Sequence, residues 1–153
     1  MARLRLTVLA GLLASLVAVG PGAAPASADV LQPFFAVLNG ATEVPTTTDS
    51  TAVGSALLTY QDTLHELCWR VSHNVAGETA AHIHGPATPE EAAGVLINLG
   101  TGNPKVGCAI ITNEQRRFLR TGLLYINIHS GAFAAGEIRG QIFPVRGITY
   151  GTD

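Results

Sequence analysis

Leu124-Tyr125-Ile126-Asn127-Ile128-His129 alternates apolar and polar side chains without a break. Successive side chains of a β-strand leave opposite faces, so this segment predicts a strand with one dry face and one wet face. Leu67-Cys68-Trp69-Arg70-Val71-Ser72 repeats the pattern, with Leu67, Trp69 and Val71 opposed to Cys68, Arg70 and Ser72. Half-buried antiparallel strands produce such alternation. Parallel strands covered on both faces would read as unbroken Val/Ile/Leu, and the helical crossovers they need are absent from this sequence.

Working outward, Gly, Pro, Asn and Asp punctuate the chain about every eight to twelve residues, the rhythm of an all-β sandwich or barrel. The reading predicts about eight strands, at 34–38, 54–60, 64–72, 80–84, 95–99, 107–111, 123–129 and 137–143. Gln61-Asp62-Thr63 is a hairpin loop between the second and third, and Gly100 to Lys105 joins the fifth to the sixth. One short helix is expected. Thr112-Asn-Glu-Gln115 fits a capping box, and Gly122 suits the position just past a helix end. Phe118 and Leu119 are then available to the core. Arg116, Arg117 and Arg120 read as a solvated helix face rather than a dock for an acidic partner.

The amino terminus is expected to lie outside the fold. Arg3 and Arg5 precede an apolar run from Leu6 to Val19, and Ala26-Ser27-Ala28 has the small-x-small pattern of a signal-peptidase site. Cleavage after Ala28 is expected, making residues 1–28 a leader and 29–153 one domain. The apolar run is shorter than the ~20 residues that span a bilayer. No cysteine stands immediately after the cleavage site, which argues against a lipid anchor. Without the leader, 7 basic side chains face 11 acidic ones. That balance leaves no electrostatic footprint for nucleic acid or an anionic membrane surface.

Cys68 and Cys108 both lie in the exported portion. Two cysteines in one small exported domain pair as a rule, and a disulfide is expected between them. Reactive or metal-binding thiols are the alternative.

Polar rows recur on three strands. His82 and His84 share one face, about 6.5 Å apart along the strand, while Ile83 turns to the other. Asn127 and His129 share a face, as do Glu137, Arg139 and Gln141.

Four segments carry a resemblance: Leu38-Asn-Gly-Ala-Thr-Glu43-Val-Pro45, Ala81-His-Ile-His-Gly-Pro86, Leu124-Tyr-Ile-Asn-Ile-His129 and Gly136-Glu-Ile-Arg-Gly-Gln-Ile142. In this order and spacing they resemble the CHRD domain, a family named for chordin and widespread as single-domain exported bacterial proteins. The resemblance implies an extracytoplasmic, immunoglobulin-like antiparallel β-sandwich. Chordin's role as a secreted growth-factor antagonist does not transfer to a single-domain chain. Ser130-Gly-Ala-Phe-Ala-Ala135 replaces the Pro-containing turn usual before Gly136.

Two chemistries fit the polar rows. In one, His82, His84 and His129 hold copper or zinc, the metals imidazole suits best, with Glu137 as a fourth ligand or an acceptor behind a ligand. The H-x-H strand is superficially similar to the copper site of copper–zinc superoxide dismutases. Those enzymes place further ligands where this chain has none between His84 and His129, so a four-histidine site must recruit His65 or His73. In the other chemistry, the same groups form a hydrogen-bond network through Glu137 that locks the strands. Ser130 follows His129 directly and points to the opposite face, which rules out a Ser–His relay. Gly100-Thr-Gly102 lacks the Lys-Ser/Thr pair of a phosphate loop. The sequence therefore reads as a secreted, non-enzymatic binding or cell-envelope module for an extracellular protein or small ligand. A copper- or zinc-binding protein, with dismutase-like redox activity, is the alternative.

Overall fold

The alternating segments become nine antiparallel strands, one α-helix and a short 3-10 turn at Gly40–Thr42 in the computed structural model, which describes residues 30–145. The expected leader and its cleavage point lie outside the described residues. The strands are β1 (Leu31–Asn39), β2 (Val53–Gln61), β3 (Glu66–His73), β4 (Glu78–His84), β5 (Val95–Asn98), β6 (Lys105–Ile110), β7 (Tyr125–Ser130), β8 (Ile138–Gln141) and β9 (Phe143–Pro144). Helix α1 (Asn113–Arg120) lies between β6 and β7. All eight expected strands are present. The last is divided at Ile142, because the chain changes partner there: β8 pairs β7, whereas Phe143 and Pro144 pair β1.

Hydrogen bonding links the strands in the order β5-β4-β7-β8-β1-β2-β3-β6, with β9 also on β1. The path is one continuous antiparallel sheet, bent where a single pair, Asn39↔Arg139, joins β1 to β8. Gly140 permits that junction, since a Cβ there would collide with the Val37 carbonyl oxygen. Either side of the bend, four-strand blocks turn their apolar rows to one core. Phe34, Leu38, Leu58, Leu67 and Val71 come from one block, and Ile83, Ile126, Ile128 and Ile138 from the other. Each such side chain contributes roughly 1.5–3 kcal/mol when fully buried. The outer face of the β1–β2 block keeps Phe35, Val37 and Leu57 exposed.

The helix has the expected caps. Thr112 Oγ1 accepts from the Gln115 amide at 3.1 Å, and Gln115 Oε1 accepts from the Thr112 amide at 2.9 Å. Leu119 is fully buried in the core. Arg117 and Arg120 are exposed and Arg116 is half-buried, as expected of a solvated face, and two of the three also find a partner outside the helix. Arg116 and Arg120 each reach Asp62, in the β2–β3 turn, at 2.6 Å. Those bonds hold the Asp62 carboxyl below its ordinary range. The helix is thus clamped to a hairpin 54 residues away in sequence.

Cys68 and Cys108 sit directly opposite each other on β3 and β6 and form a disulfide, which closes the free-thiol alternative. Among the described residues, no helix is long and apolar enough to cross a membrane.

Candidate functional site

Strands β4, β7 and β8 lie side by side, and their outward rows build the site. On β4, Ile83 is buried in the core, so His82 and His84 point outward. In register, His82 faces Asn127, His84 faces Tyr125 and Ala80 faces His129. Small Ala80 leaves room for the His129 ring to lean toward His82. The result is a cluster of three imidazoles. Ring centroids lie 5.5 Å apart for His82–His84, 5.2 Å for His82–His129 and 6.1 Å for His84–His129. One nitrogen of each lies within 4.8 Å of the other two.

Two backbone carbonyls orient two of the rings. His84 Nδ1 lies 3.0 Å from the Ala93 oxygen, and His129 Nδ1 lies 3.1 Å from the Ala134 oxygen. A carbonyl can only accept, so both Nδ1 atoms carry the proton and both Nε2 atoms are lone pairs. His129 Nε2 meets His82 Nδ1 at 3.4 Å. His84 Nε2 is buried and meets no described hydrogen-bond partner. Burial lowers the pKa of both His82 and His84, which favours neutral rings.

Behind the cluster stands a rigid stack. His84 lies flat on Tyr125, 5.0 Å between centroids and 8° between planes. The Arg139 guanidinium lies over the Tyr125 ring, 3.6 Å from its centroid. Arg139 is buried and donates to the carbonyls of Glu91, at 2.8 Å, and Thr88, at 3.0 Å. Gln141 Nε2 donates to Ala87 O at 2.8 Å, so β8 pins the 87–94 loop. The Tyr125 hydroxyl accepts from the Ala93 amide at 3.0 Å, holding the carbonyl that orients His84.

Beside the histidines lies a buried acid. Glu43 Oε2 accepts from Asn127 Nδ2 at 3.2 Å, and burial pushes the Glu43 carboxyl up to about 7, against the opposing pull of Arg139 and Asn127. Gly136 makes this contact possible. It adopts a φ of 144°, and a Cβ there would lie 2.6 Å from Asn127 Oδ1 and 2.8 Å from Glu43 Oε2.

The structure brings His82, His84 and His129 together as expected, and it leaves out Glu137. That carboxylate accepts from Ser50 Oγ at 2.7 Å and does not belong to the histidine group. The expected network does not run through Glu137; the pairs that form are His82–His129, Asn127–Glu43 and Arg139–Gln141. His65 and His73 also stand apart. His65 Nδ1 faces the Tyr60 hydroxyl at 3.4 Å, and His73 pairs with Glu78 at 3.0 Å. Glu78 also pairs with Lys105, which is fully buried and donates to the carbonyls of Gly100 and Gly102 at 3.0 and 3.1 Å. Sequence reasoning missed Lys105, the bracing role of Tyr125 and the two carbonyls. The outward alternation of Arg139 and Gln141 was a readable signal for the stack; the carbonyls left none.

The fold and this face define a class: an all-β domain carrying a braced polar cluster on one side of its sheet. The CHRD domain family model matches residues 34–142, and the chain belongs to that family. No curated protein and no solved structure matches the chain.

Proposed function

We propose that this chain is an exported, non-enzymatic CHRD-type binding module, with the β4–β7 face as its binding face. Export is supported by the leader pattern of residues 1–28 and by the Cys68–Cys108 disulfide. The family resemblance supports reading the two four-strand blocks as the layers of an immunoglobulin-like sandwich. A non-enzymatic role is supported by Ser130, whose hydroxyl accepts from the Phe133 amide at 3.3 Å in its own turn rather than facing a base.

The observation that carries the reading is His84 Nε2. A buried polar atom without a partner costs about 1–3 kcal/mol. The His84 ring is fixed by the Ala93 carbonyl and by Tyr125, so this atom is held in place beside the other two imidazoles; Asn127 Oδ1 and Glu43 Oε1, next to the cluster, are also buried without a partner. Proteins concentrate such local costs at functional sites. Lys105 and Glu78, elsewhere in this fold, pair with each other, and Lys105 also donates to two carbonyls; His73 Nε2 faces Glu78 at 3.0 Å but, like His84 Nε2, makes no hydrogen bond.

Thermal unfolding in the presence of a chelator tests the reading. Replacing His84 by Phe keeps the stack on Tyr125 and removes the unsatisfied nitrogen. The His84→Phe variant is expected to melt within about 3 °C of wild type, or above it. A fall of more than about 8 °C would mark the histidines as structural and defeat the binding-face reading.

A further inference from the structure

We propose that His82, His84 and His129 form a site for an imidazole-preferring d-block cation, copper or zinc. The inference rests on the binding-face reading and names the ligand class of that face.

Three neutral imidazoles hold three N–H groups and three lone-pair nitrogens. The Ala93 and Ala134 carbonyls take the N–H groups of His84 and His129, leaving both Nε2 atoms as lone pairs. Only the His82 proton remains, and from Nδ1 it can serve His129 Nε2. His84 Nε2 is then left over. A further proton on it would create a buried donor that faces no acceptor. No arrangement of protons satisfies all three rings among the described residues, whereas one cation accepts all three lone pairs at once.

The spacing agrees. Two nitrogens bound at 2.0–2.1 Å to a tetrahedral ion lie about 3.3 Å apart. His82 Nδ1 and His129 Nε2 are already 3.4 Å apart, and the whole set falls within 4.8 Å. Small ring rotations close the remainder. Carbonyl bonds on the far nitrogens are the usual support of ligating imidazoles, fixing the tautomer and raising basicity. No carboxylate or thiolate belongs to the group, which disfavours calcium, magnesium and manganese. His82 and His129 are only half-buried, so the remaining coordination position opens outward.

Binding requires one rearrangement on the protein side. The His82 proton must move from Nδ1 to Nε2, freeing Nδ1 as a ligand. That tautomer exchange is a signature a structural role would not produce.

The test titrates the untagged exported protein with Zn(II), and separately with Cu(II), by calorimetry. Imidazole nitrogen NMR follows the Zn(II) titration. One saturable site is expected, with affinity reduced about 100-fold or more in His84→Gln and in His129→Gln, and unchanged in His65→Gln. The nitrogen spectra should show His82 exchanging tautomer as the ion binds, a readout on wild type that does not depend on any variant folding. Saturation by either metal supports the proposal, and the tighter one identifies the preferred ion. Absence of a one-to-one site for both, or binding unaltered in both variants, overturns it. If metal binding fails while His84→Phe still melts like wild type, the binding face stands and its ligand is of another class.

Discussion

Glu43 shows how one residue can set a pH dependence. Its carboxyl has an ordinary value of 4.5 and is pushed up to about 7 in the fold, chiefly by burial. Between those values the folded chain holds a proton that the unfolded chain has lost. Stability from this group is therefore fully present below about pH 4.5 and is lost as pH rises through about 7. The shift corresponds to roughly 3 kcal/mol. Glu43→Gln keeps the shape and removes the titration. Denaturant unfolding of both proteins from pH 4.5 to 8 should show the variant gaining on wild type as pH rises, and parallel curves would refute the assignment. At this scale the sequence was partly legible. His82, His84, Asn127 and His129 declared their shared face through alternation, because a strand's period is a local property. Glu43 stood out only as part of the first matching segment, since its burial depends on Asn127, 84 residues away.

Among the elements, the Gly136 turn feeding β8 is the sharpest constraint. Its backbone sits where side chains are strained, and its missing Cβ is replaced by the Glu43–Asn127 contact. Gly136→Ala is expected to cost roughly 2–4 kcal/mol by denaturant unfolding. Gly131→Ala, in the same loop, meets nothing within 4 Å and should be close to neutral. Equal costs at the two positions would show that the contact does not matter. Element boundaries were readable where side chains carry the signal. The capping box of Thr112 and Gln115 is local chemistry and formed as written. The division at Ile142 was not readable, because Ile142 donates to Leu124 while Phe143 pairs with Phe35. Nothing in the alternation of residues 137–143 announces that change of partner. The arginine face of α1 is solvated as read, but its pairing with Asp62 depends on a hairpin distant in sequence and was not readable.

For the whole molecule, the Cys68–Cys108 bond staples β3 to an edge strand, β6, and closes a loop of 40 residues. Restricting the unfolded chain by such a loop contributes about 4 kcal/mol. A Cys68→Ala/Cys108→Ala double variant should lose stability on that order by denaturant unfolding; a loss below about 1 kcal/mol would show that the sheet holds β6 unaided. The sequence by itself determined the strand periodicity, the antiparallel class, the helix caps, the paired cysteines and the family, all properties of neighbours or of ordered motifs. Tertiary structure alone decided which rows meet. It joined two four-strand blocks through Asn39 and Arg139, excluded Glu137 from the histidines, and buried Lys105 against Glu78. It also supplied Ala93 and Ala134 as the carbonyls that leave His84 Nε2 and His129 Nε2 as lone pairs. Backbone oxygens are identical in every residue, so only the path of the chain can choose which of them orients a ring.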